Sequence, residues 1–197
     1  MNITFKEYQE GVARTSALKD GPQDRRMYMT GMGIVGEVGE LCDQCKKVIF
    51  HSHPTDLDKL DKEMGDVLYY IAEGCNAHDV CLKDVIDREF DQFEQHVEKS
   101  FRGLDQNKAL LERCLRLGSL AGDYSDYVHD RLVLGQPPMP AGPEILGEIL
   151  DELAHLGDIL GLHITDVAIH NAEKLRLRYP NGFESNRSIN RQENSRG

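Results

Sequence analysis

Apolar residues return every three or four positions along almost the whole chain, and no stretch alternates apolar with polar. That period matches one face of an α-helix and does not fit a half-buried strand. Ile34, Val38, Leu41, Cys42, Cys45, Val48 and Ile49 form one stripe, and Leu60, Met64, Val67, Leu68 and Ile71 the next. Leu82, Val85, Ile86, Phe90, Phe93 and Val97 form a third. A fourth runs through Leu111, Leu115, Ala121, Tyr124, Val128 and Leu132. A fifth joins Leu146, Ile149, Leu150, Leu153, Leu156 and Leu160, and a sixth Val167, Ala168, Ala172 and Leu175. A weaker helical pattern covers residues 4–18. The chain is predicted to be all-α, most simply a helical bundle.

The stripes break where turn residues gather. His51-Ser52-His53-Pro54-Thr55-Asp56 is one break, the Gly- and Pro-rich stretch 135–143 another, and Tyr179-Pro180-Asn181-Gly182-Phe183 stops the last helix. Residues 184–197 have Ile189 as their only large aliphatic side chain, too little to hold a fold, and are read as a disordered tail.

A length of 197 residues suits one ordinary domain or two small ones. Asp and Glu number 34 against 23 Lys and Arg, a net charge of −11. So acidic a surface repels polymeric nucleic acid and anionic membranes, and excludes both as main partners. No run reaches the ~20 apolar residues that span a bilayer. The first residues show no signal-peptide pattern, and the five cysteines, an odd number, read as reduced thiols. A cytoplasmic location is expected.

The surplus of carboxylates is patterned. Glu37 and Glu40 are three apart on one expected helix, and Glu63 and Asp66 repeat that spacing on the next. Each immediately precedes a core residue (Val38, Leu41, Met64 and Val67), which puts all four at the border of the apolar stripe. A helical hairpin would bring the pairs together. Two readings follow: solvated helix faces, or a site in which a hard divalent cation relieves the repulsion. Oxygen-only ligands favour Mg²⁺, with Mn²⁺ as a substitute. Lys47 shares the helix face of Glu37 and Glu40 and suits either a phosphate-bearing ligand or plain solvent exposure.

The run Met32-Gly33-Ile34-Val35-Gly36-Glu37-Val38-Gly39-Glu40-Leu41, followed by Lys46-Lys47, His51-x-His53-Pro54 and Glu63-Met64-Gly65-Asp66-Val67-Leu68-Tyr69-Tyr70, resembles the MazG-like all-α NTP pyrophosphohydrolases. Glu7-Tyr8-Gln9 with Arg14-Thr15 resembles that family's first helix, and Asn171-x-x-Lys174-Leu175-x-x-Arg178-Tyr179-Pro180 its ending. The resemblance spans roughly residues 4–86 and 144–183. It implies hydrolysis of a nucleoside triphosphate between the α and β phosphates, releasing pyrophosphate. It implies Glu37, Glu40, Glu63 and Asp66 as Mg²⁺ ligands, with Glu37 or Glu40 as general base. It places Asn171, Lys174 and Arg178 near the substrate, and Tyr8 or Tyr69 against base or sugar unless they only pack the core.

The chain departs from that pattern in a reciprocal way. Cys81-Leu82-Lys83-Asp84-Val85-Ile86 aligns with His163-Ile164-Thr165-Asp166-Val167-Ala168, and Gly36-Glu37-Val38-Gly39-Glu40 with Gly122-Asp123-Tyr124-Ser125-Asp126. In this alignment Glu89 and Gln92 replace Asn171 and Lys174, while Ile145 replaces Glu63. The first half keeps the metal ligands and the second keeps the basic tail. The expected organisation is a MazG-like half at 1–103, a degenerate half at 104–183 and the tail at 184–197. The halves would pack as a pseudo-dimer around one composite site, unless the extra helices are an insertion in one module; a homo-oligomer remains compatible.

Other patterns carry less. Cys42-x-x-Cys45 has zinc-ligand spacing but lies within a core stripe. Glu152-x-x-His155 with Asp126-x-x-His129 is an incomplete di-iron pattern. His78-Asp79 and His129-Asp130 are isolated dipeptides of the HD type, read as loop or surface. Besides the enzyme, two alternatives stand: a non-catalytic nucleotide-sensing or protein-binding helical module, and a pyrophosphatase narrowly specific for dUTP or dCTP.

Overall fold

The computed structural model describes residues 3–86, 105–137 and 141–189. Among them it holds seven α-helices and no strand: α1 (Phe5–Thr15), α2 (Gln23–His51), α3 (Leu57–His78), α4 (Gln106–Leu132), α5 (Ala141–Leu160), α6 (Ile164–Arg178) and α7 (Ser185–Ile189). A single 3₁₀ turn, Leu82–Asp84, follows α3. No described helix is long and apolar enough to cross a membrane.

Local chemistry sets the helix ends. Thr4 and Glu7 form a reciprocal capping box at the start of α1, Thr4 Oγ1 accepting from Glu7 N at 3.2 Å and Glu7 Oε2 from Thr4 N at 2.9 Å. Asp56 caps α3 by accepting from Lys59 N, and Asp105 caps α4 by accepting from Asn107 N. Ser52 leaves α2 in the left-handed region at φ 55°. It turns the chain back so that α2 and α3 pack side by side.

The α2–α3 hairpin packs against a second hairpin, α4–α5. Both contacts are antiparallel. Gly31 lies on Val128 and Cys42 on Cys114; Gly74 lies on Leu146 while Met64 reaches Gly157. The second, fifth and sixth stripes supply much of the core, with Leu60, Met64, Leu68, Ile71, Leu146, Leu150, Leu153 and Val167 buried. α1 and α6 close one side by packing on α3 and on each other.

Three expectations shift. In the fourth stripe Leu111 and Leu115 are exposed, and Leu110, Cys114 and Leu117 enter the core instead, while Ala121, Tyr124 and Val128 are buried as expected. Residues one position apart point about 100° away from each other, so the buried face of the first turns is offset by one residue from the expected stripe. The linker expected through Pro143 is shorter, because α5 already begins at Ala141. Proline is tolerated in the first helical turn, where the N–H it lacks has no partner to lose. Ser185–Ile189 forms one exposed helical turn inside the stretch read as a tail. Of the third stripe, Leu82, Val85 and Ile86 pack on the core. Phe90, Phe93 and Val97, the replacements Glu89 and Gln92, and residues 190–197 lie outside the described residues.

Candidate active site

The hairpin delivers the two acid pairs to one place. Glu37, Glu63 and Asp66 each offer a carboxylate oxygen, and these oxygens lie within 4.8 Å of one another. All three side chains are half-buried. Glu40 is exposed one turn along α2 and stands outside this trio, although its charge is felt by both Glu37 and Glu63. Neighbouring core residues explain the placement. Val38, Leu41, Met64 and Val67 are buried, so the acids just before them emerge at the rim of the α2–α3 seam. Above the cluster the Tyr70 ring fills the space where Gly33 lacks a side chain, and a methyl group at Gly33 would come within 2.3 Å of it.

The cluster carries unrelieved negative charge. The Glu37 carboxyl is pushed up to about 7, first by burial and then by Asp66, Glu40 and Glu63, with Lys174 acting against them. Glu63 is also raised, by burial and then by Glu40 and Asp66, against Lys59 and Lys174.

Lys174 comes from the far end of the chain. Its Nζ donates to Asp66 Oδ1 at 2.6 Å, bringing α6 to the acids on α3. One turn earlier on α6, Asn171 is buried against Gly65 and accepts a hydrogen bond from Tyr8 OH at 2.8 Å. Tyr8 is itself a core residue, 1% exposed, and burial followed by the Asp66 charge raises its phenol well above the usual range. Tyr8 and Asn171 therefore form a buried bonded pair next to Gly65. Tyr69 is partly buried, its phenol raised above the ordinary range by burial and by Glu73. Lys47 is engaged elsewhere: its Nζ meets Asp43 Oδ2 at 2.6 Å, one turn away on the same helix. Lys46 also pairs with Asp43, and the two lysines hold that carboxyl down at about 2. Arg178 lies one turn beyond Lys174, half-buried, its carbonyl accepting from Arg187 Nη1 at 3.4 Å.

The remaining motif residues serve the frame. Gln9 Nε2 donates to Asn76 Oδ1 and Val80 O, and Gln9 Oε1 accepts from Leu82 N. Arg14 donates to the carbonyls of Tyr179 and Pro180, tying α1 to the end of α6. All five cysteines are unbridged. Glu152 is paired with Arg113 at 2.7 Å, and His129 with the adjacent Asp130. His78, expected in a loop, is the last residue of α3. Its ring packs against Tyr124 and Tyr127, and burial lowers its pKa to about 4.

Two features escaped the sequence reading. Glu73 is fully buried, accepting from Ser16 Oγ at 2.7 Å and from Arg26 Nε and Asn76 Nδ2 at 3.4 Å each. Its signal was a lone charge inside the apolar run Tyr69-Tyr70-Ile71-Ala72-Glu73-Gly74-Cys75. Asp61 meets His170 Nδ1 at 3.1 Å, a second pin between α3 and α6. No local pattern announces it, because its partners are 109 residues apart.

A carboxylate cluster on one helical hairpin, bordered by a lysine from another helix, defines a class of site: oxygen ligands for a hard divalent cation, with an ammonium beside them for a phosphate. Residues 28–101 match the family model of the MazG nucleotide pyrophosphohydrolase domain. The "Gene 37 protein" of Mycobacterium phage L5 is 33% identical over 76 residues, which are 36% of this chain and 66% of the phage protein. The chain thus spans just under two thirds of that relative. No solved structure matches the chain. Residues 28–101 thus carry the likeness to the MazG nucleotide pyrophosphohydrolase domain.

Proposed function

We propose that the protein is a Mg²⁺-dependent nucleoside triphosphate pyrophosphohydrolase. It would convert a (d)NTP and water to the (d)NMP and pyrophosphate by attack at the α-phosphate. The observation that carries this reading is the meeting of the Glu37, Glu63 and Asp66 carboxylates within 4.8 Å, with Lys174 on Asp66.

The donor set fits a hard cation. It is all oxygen, anionic and half-buried, and burial together with the neighbouring carboxylates holds a Glu37 proton up to about pH 7. Glu37, Glu63 and Asp66 would hold Mg²⁺, with Glu40 completing the ligand set from the next turn of α2; Mn²⁺ suits the same oxygens. Bound there, the ion supplies neutralisation of charge on the phosphate oxygens and on the departing pyrophosphate. Lys174 Nζ is in place to donate to a phosphate oxygen, and Arg178 lies one turn further along the same helix. The proton of the attacking water passes to a carboxylate oxygen of Glu37 or Glu40. Tyr8 and Asn171 brace α6 from behind. Lys47 joins the phosphate grip only if its bond to Asp43 opens.

The site is composite in this reading: 1–103 contributes the acids and 104–183 the lysine. The antiparallel pairing of α2 with α4, and of α3 with α5, supports two related halves about a two-fold axis. So does a cavity lined by Asp123, Asp126 and Ile145, the counterparts of Glu37, Glu40 and Glu63. The substrate is a free nucleotide, not polymeric nucleic acid or membrane, and a cytoplasmic protein, alone or as a homo-oligomer, is consistent with this role.

Pyrophosphate release from a panel of NTPs and dNTPs, with Mg²⁺ and with chelator, tests the reading and reports base and sugar preference. Tight nucleotide binding without turnover would replace it by a sensing module. Release of orthophosphate alone would overturn attack at the α-phosphate.

A further inference from the structure

Away from the acids, three cysteines converge where α2 packs on α4. Cys42 Sγ donates to the Cys114 carbonyl at 3.5 Å, and Cys45 lies buried one turn further along α2. Cys45 and Cys114 are buried, while Cys42 is half-buried and is the one of the three that solvent reaches most readily. The trio sits on the side of α2 turned to α4, whereas Glu37 and Glu40 are turned to α3.

We propose that Cys42 and Cys114 form a thiol–disulfide exchange site, which a low-molecular-mass disulfide converts to an intramolecular disulfide joining α2 to α4. The chemistry balances. The Cys42 sulfur attacks one sulfur of the reagent, a new S–S bond forms, and the reagent's own S–S bond breaks. One small thiol leaves with the Cys42 proton. The Cys114 sulfur then attacks the Cys42 sulfur of this mixed disulfide. The second small thiol leaves with the Cys114 proton. The protein is oxidised by two electrons and the reagent is reduced to two thiols. The seat of the Cys42 sulfur on the Cys114 backbone favours the second step over a lasting mixed disulfide, because the resolving residue is already beside its target. The bond would bridge 72 residues and staple the first half to the second, so it would stabilise the bundle by restricting the unfolded chain.

Cys81 is exposed and Cys75 lies near it, so a Cys81→Ser background removes a competing reaction. The full-length Cys81→Ser protein is incubated with oxidised glutathione, alkylated and mapped by peptide mass spectrometry, with melting temperature followed in parallel. The expected result is a Cys42–Cys114 cross-linked peptide, an intact mass lower by two hydrogens with no glutathione retained, and a raised melting temperature that dithiothreitol reverses. Adding Cys42→Ser should abolish the cross-link, and adding Cys114→Ala should leave glutathione trapped on Cys42. No reaction, glutathione retained on Cys42 while Cys114 is intact, or a Cys45–Cys114 link would each overturn the assignment.

Discussion

Lys174 on α6 donates to Asp66 on α3 across 108 residues of sequence, at 2.6 Å. The contact sets a cation from the last third of the chain against the acid cluster of the first third. It opposes the proton affinity of Glu37 and of Glu63, both raised by burial and by neighbouring carboxylates. Replacing Lys174 with Ala should lower kcat/KM for triphosphate hydrolysis by about 10²–10³, the usual cost of removing one donor aimed at developing charge. Arg at 174 should restore part of that loss. Steady-state pyrophosphate release measures both, and near-normal activity in the Ala variant would remove α6 from the site.

Glu63→Gln and Asp66→Asn should each abolish most of the activity and weaken Mn²⁺ binding, read by paramagnetic relaxation or calorimetry. Glu63→Gln should not lower the melting temperature in chelator, because it removes a repulsive charge from a crowded cluster, whereas Asp66→Asn also breaks the ion pair with Lys174. A substantial drop in melting temperature for Glu63→Gln would mean that this carboxylate holds the fold together rather than a cation.

The elevated Glu37 carboxyl predicts a pH dependence of known sign. Its folded value, about 7, lies above the ordinary carboxylate value of 4.5. The folded state therefore binds the proton more tightly than the unfolded chain does. That contribution to stability is fully present below pH 4.5 and is lost as pH rises through 7. In chelator the Glu37→Gln variant should lose less stability than the wild type across this window. Mg²⁺ binding near pH 6 should release a proton, seen as a buffer-dependent enthalpy in calorimetry.

Gly65 sits under Asn171, and a methyl group there would come within 2.8 Å of Asn171 Nδ2 and 3.0 Å of its Cβ. Gly65→Ala should push α6 off α3, carrying Lys174 away from its neighbour Asp66. Overpacking of this kind costs about 1–3 kcal/mol. Urea unfolding measures that loss, and kcat/KM should fall with it although no atom of the acid cluster has changed.

Tyr8→Phe removes the phenol that donates to buried Asn171. An acceptor left buried and unpaired costs about 1–3 kcal/mol. If the pair acts only as a brace, stability should fall while base preference stays unchanged. A change in relative kcat/KM among the nucleotides would instead put Tyr8 in contact with substrate.

Much of the architecture was legible because it is written locally. The helical period, the turn at His51-Ser52-His53-Pro54 and the paired acids at spacing three are properties of neighbouring residues. They suffice to place Glu37, Glu63 and Asp66 on one hairpin. One misreading was of register. Leu111 and Leu115 were assigned to the core because a leucine-rich helix has apolar residues on several faces, and only packing against α2 and α5 selects Leu110, Cys114 and Leu117. Lys47 shares the acid face and pairs with Asp43, one turn away.

The sequence by itself determined the class of fold and the hairpin that carries the acids, because helical periodicity and i,i+3 spacing act over one or two turns. Which cation meets those acids was decided by tertiary structure. Lys47 and Lys174 are equally charged, but α6 packs on α3, with Asn171 seated on Gly65 and His170 on Asp61, and this delivers Lys174 to Asp66. Likewise, only folding shows that Tyr8 is buried against Asn171 and that Glu73 is buried with Ser16 and Arg26. Those contacts join residues 47 to 163 positions apart, a distance at which a sequence records the side chain but not its partner.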